Sequence, residues 1–587
     1  MKKNVLFIVV DSVTNDILFN KSCSKKVAPF LNKLRTKSIS GDKMYSQAPF
    51  TEAALMSLIG SVDTLDNGGY MERMKNTKSV FEVFKENGYK TIFTNYYPSI
   101  YPSYMVPGID EKRYIEQFQF AHIWEYRLKY FAPIYKEEKI TDYELNMLID
   151  MLEDNFKGWC TYLEKIKNND VETQILNDCI DKKDIDKNIK LLKKEYNTFL
   201  KNKKDYIDNL FKLEEKHNLF KIKTFSMTDK IRNDEFRKKV IEKYKYIFDK
   251  IYKINFKRNL RNNRLPIKKV FKNIKDNRMD VVKGLLAGYK NSLFDKDLYE
   301  RINEKYDLFK VQRSFNTVAD EFFELLEKNK DNQWVSYIHI DDAHFKENFF
   351  TYDTDNMDII DKEFVKINNF LNDVPKDYKG SITCDLSLMY VDGIIQKIYN
   401  HLEKENLLDN TSIVITADHG FSFNFCPVRE KYVVSNYSEN YNVPFIIWSK
   451  DIKPKLIKKF CTTKDISATL LELANIKIPK EFKGKGLINT NGQDYVTIEY
   501  MGGGCPDINR RPINLGVRTK EYIIEANLDV NIPFENQKLS EVYNLKKDPL
   551  ENNNIVNKKG IEKEISKEIE LLKNRFIEIQ KQNINKK

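Results

Sequence analysis

The chain has 587 residues, with 98 Lys and Arg against 86 Asp and Glu, a net charge of +12, and 41% hydrophobic residues with 20 Gly and 16 Pro. That length fits roughly three to four ordinary domains, or one large domain with insertions, and the composition excludes collagen-like and wholly disordered chains. Seven scattered Cys (Cys23, Cys160, Cys179, Cys384, Cys426, Cys461, Cys505) form no CxxC pair, which argues against a disulfide framework or a Cys-based zinc site. No apolar run approaches the about 18 residues of a membrane span. At the amino terminus the apolar run Val5 to Val10 stops at Asp11, short of a secretion signal core of about 7–15 residues. It reads as a buried first strand, and the protein is expected to be cytoplasmic.

In chain order, residues 3–10 form a strand, 80–87 a helix closed by Gly88, and 91–94 the next strand. From about 120 to 325 the texture changes to long Lys-, Glu-, Asn- and Tyr-rich segments with apolar residues such as Tyr206, Leu210 and Leu213 at helical spacing. This predicts a mostly helical insertion. After it come a strand at 334–340, a helix at 386–403, strands at 411–417 and 443–448, and a helix at 466–474. Shorter strands at 495–499 and 522–525 and a charged helix at about 561–582 close the chain. Near-continuous apolar strands separated by helices predict an α/β fold, its sheet mostly parallel and covered by helices on both faces. The expected organisation is a core domain from 1–119 and 326–490, the basic insertion 120–325, and a small carboxy-terminal α+β subdomain 491–587.

The positive charge is local. Residues 181–280 carry 31 Lys and Arg against 15 Asp and Glu, and from Lys257 to Lys275 eight bases meet no acid. Such a surface suits an anionic partner, either membrane headgroups or a charged glycan; the plainer account is the solvated face of long helices. No nucleic-acid-binding motif accompanies it, so nucleic acid is not expected as a partner.

Two predicted strands run into hard-metal ligands: residues 4–10 into Asp11, and 411–417 into Asp418-His419-Gly420. In open parallel sheets, side chains converge at the carboxyl ends of strands. Two carboxylates and an imidazole there suit one divalent cation such as Mn²⁺, Ca²⁺ or Zn²⁺. In residues 48–60 (APFTEAALMSLIG), Thr51 stands just before an apolar helical run. A hydroxyl there is commonly a helix cap, but a nucleophile occupies the same place because the N–H groups favour an incoming anion.

These segments resemble the sulfatase branch of the alkaline phosphatase superfamily. Residues 4–11 (NVLFIVVD) look like its first strand and metal Asp, 48–60 its nucleophile segment, and 84–91 (FKENGYKT) the helix-to-strand step that follows. Residues 338–344 (IHIDDAH) resemble the strand carrying an active-site His, and 408–420 (LDNTSIVITADHG) is the most specific match. Residues 443–447 (VPFII), 465–474 (DISATLLELA), 517–519 (VRT) and 542–551 (VYNLKKDPLE) follow in the family's order.

The chain also departs from the sulfatase pattern. It lacks the C/S-x-P/A-x-R motif matured to formylglycine: with Thr51 in the Cys place, Leu55 stands where Arg is required. The paired acids after the first strand are reduced to Asp11-Ser12. An unmodified Thr is closer to the lipoteichoic acid synthase and phosphoethanolamine transferase members, which are membrane-anchored and extracytoplasmic.

The resemblance implies a metal-dependent hydrolase or transferase of phosphate or sulfate esters, acting on a saccharide or polyol. Thr51 would be the nucleophile, Asp11, Thr51, Asp418 and His419 the metal ligands, and His344 the acid for the leaving oxygen. His339, Arg429 and Lys431 would bind the substrate anion, although a buried His within an apolar strand is as often structural. Asp341, Asp342, Asp385 and Asp392 are further acids near the core; Asp392, on a helix, is expected to face solvent. His401 is expected to be structural, and His122 and His217 carry no signal. A formylglycine-independent sulfatase and a catalytically silent scaffold that binds an anionic membrane or glycan are the alternatives.

Overall fold

The computed structural model describes residues 3–19, 24–66, 77–95, 107–113, 131–168 (less 132, 133 and 138), 185–212, 234–262, single positions between 271 and 286, 309–311, 315–340, 343, 350–375 (less 353 and 355), 382–421, 438–501, 508–549 (less 510) and 551–584 (less 552). His122, His217, Asp341, Asp342, His344, Arg429 and Lys431 lie outside them.

The described core elements are β1 (Asn4–Val10), α1 (Pro29–Arg35), β2 (Ile39–Gly41), α2 (Thr51–Gly60), α3 (Val80–Glu86), β3 (Lys90–Asn95), β4 (Glu111–Arg113), β5 (Trp334–Ile340), α4 (Ile382–Lys404), β6 (Thr411–Thr416), β7 (Phe445–Trp448), β8 (Lys455–Ile457) and α5 (Lys464–Leu473). Among the described residues eight strands form the main sheet in the order β8-β2-β7-β6-β1-β5-β3-β4. β1 lies at its centre, parallel to both β5 and β6. All seven residues of β1 and all seven of β5 are buried, as expected of parallel strands covered on both faces. The mostly parallel sheet is observed, with one departure: β7 runs antiparallel to both β6 and β2.

Three elements explain how the site is held. α2 is buried on every position except Glu52. One side packs with the main core through Leu55, Leu58 and Ile59. The other, carrying Ala53, Ala54 and Met56, belongs to the core of the carboxy-terminal subdomain. A helix apolar all round is a buried helix, and its small residues admit both neighbours. That subdomain is an antiparallel meander of β9 (Tyr495–Tyr500), β10 (Ile513–Thr519), β11 (Tyr522–Leu528) and β12 (Glu541–Asn544), with α6 (Ser566–Ile584) against β10.

A buried charge cluster joins the two parts. Arg575 of α6 grips Glu499 of β9 with Nε and Nη2 at 2.7 and 2.8 Å, and its Nη1 lies 2.9 Å from Asp66. Lys464 and Lys483 meet Asp63 at 2.6 and 3.0 Å. Burial alone would raise the Asp63 carboxyl, but Lys464, Arg575 and Lys483 outweigh it and hold it well below the usual carboxylate range.

Within 120–325, the described helices Asp142–Lys167, Ile185–Lys201 and Lys203–Lys212 share a core of their own that includes Leu148, Phe156, Leu192 and Phe199. The helix Asp234–Asn262 packs instead on Met357–Asn372, where Tyr244 stacks on Phe364 at 4.0 Å.

Asp392 departs from expectation. It is buried, and its carboxylate accepts the Phe30 and Leu31 backbone N–H groups at 3.0 and 2.8 Å, capping α1. The α1 flank has no capping side chain of its own, since Ala28 precedes Pro29. Periodicity could not show that a residue of α4 would serve a distant helix. Burial pushes this carboxyl up to about 6. His401 has the expected structural setting, stacked on Phe323 at 3.7 Å.

Candidate active site and metal centre

The carboxyl ends of β1, β5 and β6 meet the amino end of α2. Parallel register puts Val9 level with both His339 and Thr416, so Asp11 and Asp418, each two residues further on, leave the sheet side by side. Asp11 extends the ladder by one bond, its N–H donating to Ile340 O at 2.9 Å. Asp11, His339 and Asp418 are fully buried, and Thr51 and His419 nearly so.

Thr51 Oγ1 lies 3.4 Å from Asp11 Oδ2 and 3.2 Å from His419 Nε2. His419 Nε2 is also 3.6 Å from Asp11 Oδ1 and 3.6 Å from Asp418 Oδ2. The His419 Nδ1 is 2.7 Å from the Gly420 carbonyl, which can only accept, so Nδ1 carries the proton and Nε2 presents its lone pair. Gly420 is required at this turn: a Cβ there would come within 2.1 Å of the Glu439 carbonyl oxygen.

His339 Nε2 is 3.5 Å from Asp11 Oδ2, while its Nδ1 meets the Tyr337 hydroxyl at 2.8 Å. Asp11, His339 and Asp418 are, among the described residues, the one group of acid, His or Cys side chains placed to share an ion, with ligand atoms within 4.8 Å of one another. Two buried carboxylates this close need compensating positive charge. Asp418 Oδ2 is buried without a hydrogen-bond partner among the described residues. An orphaned carboxylate oxygen beside a second acid and an imidazole is the donor set of a divalent-cation site, and the residues fit such an ion.

The structure thus gathers Asp11, Thr51, Asp418 and His419, as the sequence predicts. It adds His339, assigned from sequence to the substrate, to the two acids. The available signal was its place one residue before the end of a strand paired with β1. Ser12, which in the sequence stands only where a second acid is missing, touches both carboxylates: its Oγ donates to Asp11 Oδ1 at 2.6 Å and its N–H to Asp418 Oδ1 at 3.1 Å.

Comparison with known proteins finds likeness over part of the chain. The Sulfatase family model matches residues 247–476, and the model for the N-sulphoglucosamine sulphohydrolase C-terminal region matches 431–582. Over these residues the chain is similar to the sulfatases.

Among curated sulfatases, the Extracellular sulfatase SULF-1 homolog of Drosophila melanogaster is 27% identical over 166 residues, 26% of this chain and 14% of that protein. The N-acetylglucosamine-6-O-sulfatase of Bacteroides thetaiotaomicron is 29% identical over 205 residues, 32% of this chain and 34% of that protein. The chain therefore spans about a third or less of the length of these relatives. The phosphonate monoester hydrolase of Silicibacter pomeroyi has the same fold, with a TM-score of 0.51 at 12% identity over 98% of this chain and 96% of that one.

Proposed function

We propose that this sulfatase-like chain is a metal-dependent hydrolase of sulfate esters on a saccharide, with unmodified Thr51 as its nucleophile. The observation that carries the mechanism is Thr51 Oγ1 lying 3.2 Å from the lone-pair nitrogen of His419 at the edge of the Asp11, His339 and Asp418 group. The saccharide sulfate is taken from the relatives, among them the N-acetylglucosamine-6-O-sulfatase.

In this reading His419 Nε2 accepts the Thr51 proton as Oγ attacks the ester's sulfur. The amino end of α2 directs its N–H groups at the transferred anion. The S–O bond to the alcohol breaks as His344 protonates the leaving oxygen, while Arg429 and Lys431 bind the anion's oxygens. Water, giving a proton back to His344, then displaces the sulfo group as sulfate, and His419 returns the proton to Thr51 Oγ. Asp11, Asp418 and His339, with His419 adjoining, would hold Mn²⁺, Zn²⁺ or Ca²⁺, and such a cation would lower the Thr51 pKa and neutralise the ester's charge.

A phosphate-ester substrate is the second reading, favoured by Thr51 itself. Its Cβ carries a methyl group, so it cannot become formylglycine and must form a simple ester, as a phosphotransferase does. Aryl sulfate, aryl phosphate and phosphodiester substrates, assayed on wild type and Thr51→Ala, separate the readings. The proposal requires metal-dependent turnover that Thr51→Ala loses, with a Thr51-linked sulfo or phospho group trapped in the wild type. Full activity of Thr51→Ala would refute it.

The basic insertion completes the proposal as a docking surface for the anionic glycan. Lys187, Lys190, Lys194 and Lys201 recur along one side of the helix Ile185–Lys201. Exchanging all four for Gln should weaken binding of a sulfated polysaccharide at low salt and leave turnover of a small aryl ester unchanged; unchanged polysaccharide binding would refute the docking role.

A further inference from the structure

Ser12 follows the last strand residue and Asp11, and its φ is +60°, the left-handed region that a non-glycine residue enters only at a cost. It is buried. Had the chain stayed extended, the side chain after Asp11 would point to the opposite face of the sheet. The left-handed turn brings the Ser12 hydroxyl back onto its neighbour and turns its N–H toward the strand beside it. The hydroxyl donates to Asp11 Oδ1 at 2.6 Å, and the N–H donates to Asp418 Oδ1 at 3.1 Å. The His419 N–H adds a second bond to Asp418 Oδ1 at 2.7 Å.

The consequence is a sorting of four oxygens. Both Oδ1 atoms are engaged by Ser12. Asp11 Oδ2 is turned toward His339 Nε2 and Thr51 Oγ1, at 3.5 and 3.4 Å, and Asp418 Oδ2 has no hydrogen-bond partner among the described residues. A carboxylate rotates freely about its terminal torsion unless one oxygen is fixed. Two carboxylates from different strands converge on one ion only if both are fixed together, and a single residue reaching both accomplishes this.

We propose that Ser12 is a positioning residue for the cation site: it locks one oxygen each of Asp11 and Asp418 so that the other two present a preformed pair to a divalent ion. A backbone cost retained beside a reactive centre accords with this role, as does the effect of outer hydrogen-bond partners on metal affinity elsewhere. The inference rests on the cation site proposed above.

The test is titration of the metal-free full-length protein with Mn²⁺ by calorimetry, for wild type, Ser12→Gly and Ser12→Ala. Glycine adopts the left-handed backbone without penalty and keeps the N–H, so Ser12→Gly removes the side chain and spares the turn, while Ser12→Ala removes only the hydroxyl. The expected result is one Mn²⁺ per chain in all three, held about 10–100-fold more weakly in both variants. The metal-free melting temperature of Ser12→Gly should be unchanged or higher, and the rise in melting temperature on adding Mn²⁺ should be smaller than in wild type. Affinity within about twofold of wild type would overturn the role of Ser12 while leaving the cation site standing. Complete loss of stoichiometric binding in Ser12→Gly would overturn it too, by making Ser12 itself a ligand. Failure of wild type to bind Mn²⁺, Zn²⁺ or Ca²⁺ would overturn the site and this role together.

Discussion

Replacing Arg575 by Met should loosen the carboxy-terminal subdomain from the helix that carries Thr51. Arg575 forms a two-pronged pair with Glu499 at 2.7 and 2.8 Å and bonds Asp66 at 2.9 Å, and all three residues are buried. Without the guanidinium, Glu499 keeps the Leu65 N–H at 2.7 Å, and Asp66 keeps Lys483 at 2.9 Å. Breaking a buried pair by removing one partner costs about 3–5 kcal/mol, because the surviving charge stays desolvated. Glu499→Gln alone should cost less, since Arg575 retains Asp66 and Glu578. The double variant should be more stable than the sum of the two losses predicts, by at least about 1 kcal/mol. Urea unfolding followed by circular dichroism at pH 5 and pH 8 measures all four proteins. Burial already raises the Glu499 carboxyl, against the pull of Arg575. Once the arginine is gone Glu499 takes up a proton more readily, so the loss in Arg575→Met should be larger at pH 8 than at pH 5. A cost under about 1 kcal/mol, or strict additivity, would show that the cluster does not join the two parts.

Thr51→Ala should lower kcat by at least about a thousandfold while the protein still binds Mn²⁺, as steady-state rates and calorimetry will show. Asp418→Asn should weaken Mn²⁺ binding and reduce the melting-temperature rise that the ion produces, whereas equal shifts in wild type and variant would remove Asp418 from the site. Gly420→Ala forces a Cβ to within 2.1 Å of the Glu439 carbonyl, so the turn carrying His419 must move. The expected cost is about 1–3 kcal/mol, with a fall in activity, read by thermal melting and initial rates. For Asp392, the native carboxyl titrates at about 6 against an ordinary value of about 3.9. Between those values the folded protein holds a proton that the unfolded chain has lost, so stability falls as pH rises through the window, by about 3 kcal/mol. Melting curves should therefore show Asp392→Asn gaining on wild type from pH 4 to pH 7; a parallel pH profile for the two would contradict the burial argument.

How legible each feature was depended on how local its cause is. The strand at 334–340 and the helix at 80–86 match their predicted places because continuous apolar runs and an explicit cap define them. Ser79 forms a full capping box with Glu82. β2 is three residues long and carries no periodicity to detect. The reversal of β7 is equally silent in sequence, since a buried strand reads the same in either direction.

The candidate site divides in the same way. That Asp11, Asp418 and His419 end up at one edge is written in the chain, because each follows an apolar run that must be a buried strand, and buried parallel strands end together. Thr51 likewise opens the apolar helix that only a core can accept. Register and packing alone decided that His339 joins the two acids, that Ser12 turns left-handed to hold both, and that Asp392 caps α1. Each is a meeting of residues up to about four hundred positions apart, and no local pattern records which distant atom will be the partner.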